Sequence, residues 1–200
     1  MNYGEEYALW YLRLNGFFPI SNFVIHKSGE IAHSSDCDVL AIRTPNVFEE
    51  IGGQETDWDG LLRDRFDFEK TIGIICEVKT GKYEEGKLFA KKNVAYCVGR
   101  LGFLPYQSIE KILEPLDNQA IFSLNSNYQI GKLLIANKGS QSDRYVFIDL
   151  GSIISFLNKR VEKYPEDKFR DRMFFSSVLF QSVIDRVALK RENESIKEGT

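Results

Sequence analysis

Residues 3–15 carry apolar side chains at helical spacing, with Glu5, Ala8, Leu9 and Leu12 along one stripe, and the run ends at "NG", where Gly16 is the expected C-cap. Glu5 is therefore expected on the inward face of that helix. "NFVIH" (22–26) and "DCDVLAIR" (36–43) read as strands joined by a turn around "KSGE", with His26 and His33 as incidental strand and turn residues. Residues 44–70 are polar, glycine-containing and longer than an ordinary loop, and are expected to be an insertion outside the core. "TIGIICEVK" (71–79) is the next strand. From about Lys87 to Arg100 a second helix aligns Ala90, Val94, Cys97, Val98 and Leu101 on one stripe and leaves Lys92, Tyr96 and Arg100 opposite. "YQIGKLLIA" (128–136) and "YVFID" (145–149) supply further strands. "SIISFLNKRVEKY" is the expected third helix, with Ser152 near its N-cap and Pro165 beyond its end. A long helix over about 167–190 and a fraying tail, "ENESIKEGT", close the chain.

One strand breaks its own pattern. Alternation in "TIGIICEVKTG" puts Ile75, Glu77 and Lys79 on one face and Cys76, Val78 and Thr80 on the other, so a nearly continuous apolar run ends with two charges on the same side. An ionised group withdrawn from water costs several kcal/mol unless it is paired or binds a metal, roughly speaking. The pair needs a reason.

Composition narrows what that reason is. Two hundred residues, 43% hydrophobic and 13% aromatic, suffice for one core: residues 1–150 as an α/β unit holding the 44–70 insertion, and 151–200 as a helical extension packed on it. No apolar run reaches the roughly 20 residues of a membrane span, and "MNYGEEYALW" lacks the order of a signal peptide, so a soluble cytoplasmic chain with no membrane partner is expected. Cys37, Cys76 and Cys97 form no CxxC pair and read as buried thiols; two histidines are too few for a histidine-rich zinc site. A net charge of −3 excludes a protein that coats nucleic acid nonspecifically. The charge is unevenly distributed, however. Residues 44–70 are acidic, which makes them a possible surface for a protein partner, whereas Lys79, Lys82, Lys87, Lys91, Lys92 and Arg100 make 79–100 basic and suited to phosphate.

The chemistry that fits is phosphodiester hydrolysis. Carboxylates of Asp38 and Glu77 would hold Mg²⁺ or Mn²⁺, with the backbone carbonyl of Val78 as a third oxygen and Glu5 reaching in from its helix through water or a second ion. Lys79 would orient the attacking water and stabilise charge on the phosphate. Lys82, Lys87, Lys91, Lys92, Tyr96 and Arg100 would contact the nucleic acid.

In the order "GEEYALWYLRLNG", "SDCDVLAIR", "ICEVKTG", the chain resembles the PD-(D/E)xK, or restriction-endonuclease-like, nuclease superfamily, most of all its Holliday-junction-resolvase-like branch, over residues 3–100. The resemblance implies an α/β fold with a mixed central sheet in an α-β-β-β-α-β core, a DNA substrate, Asp38, Glu77 and Lys79 at the metal and lysine positions, Glu5 as the helical acid, and a pairing of two copies to cut two strands. Cys37 stands where a proline often precedes the aspartate, Asp36 shares the face of Asp38 and could take its role, and the insertion separates the two catalytic strands. Lys92 and Tyr96 keep the spacing of a Gln-x-x-x-Tyr helix, with lysine for glutamine. Two alternatives stand beside the nuclease: a protein that keeps this fold for recognition without turnover, and a nucleotide-binding P-loop spelled by "GKYEEGKL" (81–88). Against the P-loop, Leu88 replaces the magnesium-binding hydroxyl and Glu84 and Glu85 would sit among phosphates.

Overall fold

The apolar run of residues 71–79 forms the middle of a mixed six-stranded open sheet. The computed structural model describes residues 2–25, 35–165 and 178–198. In chain order the elements are helix α1 (Tyr3–Leu14), strands β1 (Phe18–Ile25) and β2 (Ser35–Arg43), the short helix α2 (Gly60–Arg63), β3 (Thr71–Lys79), α3 (Lys91–Leu101), α4 (Ile109–Asn118), β4 (Ile121–Ser123), β5 (Tyr128–Ala136), β6 (Val146–Asp149), α5 (Leu150–Lys163) and α6 (Val178–Glu198). Strand order is β1-β2-β3-β5-β4, with β6 also on β5. β1, β2 and β3 are antiparallel neighbours, and β5 lies parallel to β3 after the α3–α4 crossover. β4 is antiparallel and β6 parallel to β5.

Both faces of the central strands are covered, which is why β3 and β5 read as continuous apolar runs instead of clean alternations. On one side Val39, Ile74, Cys76, Val78 and Leu133 meet α1, α5 and α6 in a core that includes Tyr11, Leu12, Ile153, Leu157 and Val183. On the other, Leu40, Ile75, Ile130 and Leu134 meet α3 and α4 through Val94, Val98, Leu113 and Leu116. The C-terminal helices thus belong to the same packed body. All three cysteines are free and buried.

Four expectations need correction. Residues 44–70 are not outside the core, because Leu62 and Phe66 are buried in the α1 side of it and Phe66 lies against the bare Cα of Gly131 on β5. The segment is also bound to its neighbours: Tyr11 donates to Asp59 (2.8 Å), the Asp59 N–H donates to Asn15 (2.7 Å), and Arg160 of α5 donates to the carbonyls of Gly52 and Asp57. Lys163 and Tyr164 bind the Asp57 carboxylate at 2.7 and 3.0 Å. Burial would raise Asp57, but Lys163, the Gln54 N–H and Tyr164 outweigh it and hold the carboxyl below its usual range. Second, the N-cap of α5 is Asp149, which accepts from the Ser152 N–H at 3.1 Å, so serine is the capped residue and aspartate the cap. Third, Ala90 is an exposed N-cap and α3 begins only at Lys91. Fourth, residues 192–198 continue α6 instead of fraying. His26, His33 and the turn around residues 27–30 lie outside the described residues, as does the first part of the long helix expected from residue 167. Among the described residues no helix is long and apolar enough to cross a membrane.

Candidate functional site

The site sits where β2 and β3 separate. Their pairing ends at Val39↔Cys76, so Asp38 and Glu77 are the first residues beyond the ladder. On its other edge β2 passes from Ser21↔Val39 to Phe23↔Cys37, skipping Asp38, opposite a β1 residue, Asn22, whose φ of 52° is left-handed. Freed from both ladders, Asp38 turns its carboxylate onto β3: its Oδ2 accepts from the Val78 N–H at 2.6 Å. The lost strand hydrogen bond is thereby replaced by a charge-assisted one.

Glu77 and Lys79 leave β3 on the α3 side. The Lys79 ammonium lies 3.2 Å from Asp38 Oδ2 and 3.3 Å from Glu77 Oε2, so one cation bridges both acids. Burial alone would lower the Lys79 ammonium, but Asp38 and Glu77 outweigh it and hold it above its ordinary value, so it stays charged. Glu77 is fixed a second time, its Oε1 accepting from the Phe89 N–H at 2.6 Å. That contact depends on a left-handed backbone at Phe89 (φ 53°), which points the amide back toward the strand. Asp38 Oδ1 has no hydrogen-bond partner among the described residues. The three side chains open into a cavity of about 310 Å³ whose remaining wall is Tyr83, Glu84, Lys87, Leu88 and Asn93.

Asp38, Glu77 and Lys79 are thus brought together, and Lys87 reaches the rim while pairing with Glu84 at 3.0 Å. Lys91 and Lys92 are exposed in the first turn of α3, an uncapped helix start beside the cavity. Lys82 is exposed, Tyr96 is half-buried, and Arg100 lies at the far end of α3 over the Phe23 ring at 5.9 Å. Val78 contributes its N–H. The side chain of Asp36 is outside the described ones.

Glu5 is not brought to these residues. The first turn of α1 rests on the other face of β3, where a Cβ on Gly4 would stand 2.5 Å from Thr80 Cγ2 and 3.1 Å from Val78 Cγ1. Glu5 closes a capping box instead, accepting from the Asn2 N–H (3.0 Å) and side-chain amide (2.5 Å). Glu5→Ala is expected to cost about 0.5–1 kcal/mol of stability and to leave Mn²⁺ affinity unchanged, which thermal unfolding and calorimetric titration would check.

Residues 81–88 do not wrap a helix start, since α3 begins beyond them; the loop is tied to the sheet by Tyr83 donating to the Lys138 carbonyl (2.9 Å) and Tyr145 donating to Glu85 (2.8 Å). Two neighbours of the site were missed in the sequence. Asn93 faces the cavity from between two residues read for their charge or packing. Lys132, hidden inside an apolar strand, is fully buried, donates to the Asp117 carbonyl at 3.0 Å and sits 5.7 Å from the ring of Phe89, the residue that holds Glu77. Burial pushes Lys132 down to about 8, with Arg144 adding to the effect and Asp117 opposing it. A lysine depressed in the folded state binds fewer protons there than in the unfolded chain, so it penalises folding most below about pH 8 and the penalty fades as pH rises toward 10.5. Lys132→Met is therefore expected to be the more stable protein at pH 7, by up to about 3 kcal/mol, with the gap narrowing by pH 10 in denaturant titrations. The Asp117 carbonyl keeps a donor in the variant, Arg144 Nε at 3.4 Å.

No protein-family model matches the chain, and neither a curated protein nor a solved structure matches it significantly.

Proposed function

We propose that the protein is a metal-dependent nuclease of restriction-endonuclease-like fold that hydrolyses DNA phosphodiester bonds. The observation that carries this reading is the meeting of Asp38 and Glu77 on one ammonium at the point where two strands part and backbone pairing stops. Half-buried carboxylates are held there in a place open to a cavity, at a strand end, where a structural ion pair has no packing role. With the short α2, α4 and β4 set aside, the order α1-β1-β2-β3-α3-β5 in a mixed sheet is compatible with the resemblance seen in the sequence.

The donor set suits a hard divalent cation that keeps several waters: two carboxylates, one with an oxygen that has no other partner among the described residues, and the carbonyl of Val78 as a third oxygen. Among the described residues no group of three acids, histidines or cysteines is placed to hold a metal ion, so water would complete the coordination. When bound, Mg²⁺ or Mn²⁺ supplies Lewis acidity to the phosphate and lowers the pKa of a bound water. The chain does the rest. Lys79, kept charged, exchanges its carboxylate contacts for the phosphate oxygens and the water that attacks them. Phe89 holds Glu77 in place through its amide. Lys91 and Lys92 stand at the positive end of a helix dipole, where cations are disfavoured unless an anion joins them, so the rim of the cavity is built for phosphate.

A second reading, a recognition protein that keeps the fold without turnover, is favoured by one observation: Lys79 already neutralises both acids and Glu5 stands elsewhere. Incubation with single-stranded, duplex and branched DNA and RNA, with Mg²⁺ and with Mn²⁺, separates the two. Metal-dependent cleavage abolished by EDTA and restored by excess Mn²⁺ supports the nuclease; binding without cleavage on every substrate supports the recognition protein.

A further inference from the structure

Alternation on β1 would place Phe18, Ile20 and Asn22 on one face, but the left-handed Asn22 shifts the pattern so that Phe23 takes the next place on the side of α3. The result is an apolar strip on the outer strand of the sheet with Phe18 71% exposed and Ile20 47% exposed. An exposed strip of this kind on an edge strand is an aggregation hazard unless something covers it. Pro19 within it lacks an N–H, which makes strand addition along this edge a poor solution.

The strip is bordered by cations. Arg100 of α3 stands over the Phe23 ring, and Lys92, Tyr96 and Arg100 recur every four residues along one side of that helix. Neither β1 nor α3 contains a single acidic residue. Between them lies a cavity of about 300 Å³ lined by Phe18, Ile20, Leu40 and Arg100. Leu40, which lines this cavity, and Asp38, which lines the other, lie two residues apart on β2. The acid site and the aromatic and basic trough are therefore built on the same strand, β2, and on the same helix, α3, through Asn93 and Arg100.

We propose that this trough binds the unpaired strand of the substrate: bases stack on Phe18 and Phe23, and Arg100, Lys92 and Lys91 follow the phosphates toward Asp38 and Glu77. Aromatic faces alternating with cations are what a flexible single strand needs, because every base offers a π-face, whereas a stiff duplex keeps its bases inside. A second copy of the chain fits less well, since a two-fold contact would bring Arg100 and Lys92 close to their own images. The assignment of this trough to a substrate strand rests on the nuclease reading, but the affinity it gives does not depend on cleavage.

The test is fluorescence anisotropy in EDTA with a labelled oligothymidylate, a blunt duplex and the same duplex carrying an overhang. The expected order is overhang and single strand tighter than blunt duplex. Phe18→Ala, a change at an exposed position that leaves the core intact, should weaken the first two about tenfold and the blunt duplex little, and Arg100→Glu should do the same with a shallower salt dependence. Equal affinity for all three DNAs, or Phe18→Ala binding like the parent, overturns the proposal. So does sedimentation showing a dimer that Phe18→Ala dissolves while DNA affinity is unmoved, which would make the face a contact between copies. Because cleavage is absent from the measurement, a protein that cuts DNA yet shows no preference for unpaired strand loses the trough and keeps the nuclease reading. One that binds unpaired strand and never cuts does the reverse.

Discussion

Lys79→Met is expected to bind Mn²⁺ at least as well as the parent protein while cleaving DNA about a hundred- to a thousandfold more slowly in a single turnover. The ammonium bridges Asp38 and Glu77, at 3.2 and 3.3 Å, and a charged lysine cannot ligate a metal. Removing it takes a repelling charge from the proposed cation's position and leaves Asp38 and Glu77 in place, so affinity should hold or rise. Its loss falls on the transition state, where the phosphate gains charge and the water must be held in line. Asp38→Ala behaves differently. It removes a proposed ligand and also orphans the Val78 N–H, so metal affinity and rate should fall together. Undiminished cleavage by Lys79→Met would remove Lys79 from the mechanism.

Replacing residues 44–70 with a short turn is expected to yield no folded protein. The exchange deletes Leu62 and Phe66 from the core, exposes the bare surface of β5 at Gly131, and strips Arg160 of the two carbonyls it binds. Each large core side chain removed typically costs about 2–5 kcal/mol, and a buried guanidinium left without acceptors adds about 1–3 more. Together these approach the whole stability of an ordinary domain, roughly 5–15 kcal/mol. Circular dichroism of the shortened chain, beside Leu62→Ala as a graded version, measures this. A shortened chain with native melting would return the segment to the surface.

That segment also shows how far the sequence could be read. Its acids dominate a charge count, yet Trp58, Leu62 and Phe66 recur every four residues within it, and this apolar spacing is what the fold uses. Charge described the outer face and said nothing of the inner one. Helix α4 went unread because Pro115 lies inside it, although Ile109, Leu113 and Leu116 hold helical spacing. The meeting of Asp38, Glu77 and Lys79 was legible because strand alternation is a strict rule and two charges on one side of an apolar strand are costly. Glu5 was misplaced for a local reason with its own signal: Asn2-x-x-Glu5 spells a capping box, and a helical stripe cannot tell an inward acid from one turned back to its own N-terminus. Lys132 left no periodic trace, since an apolar strand with one lysine looks the same whether the ammonium is buried or reaches out to water.

The most direct test of the catalytic assignment is a single-turnover assay on a labelled DNA panel containing single strands, overhangs and branches, with Mn²⁺ supplied after EDTA treatment, for the parent protein and Asp38→Ala side by side. The expected result is cleavage by the parent that appears only with Mn²⁺ and is lost in Asp38→Ala although the variant melts as a folded protein. Absence of Mn²⁺-dependent cleavage on every DNA, or equal cleavage by the two proteins, would contradict it.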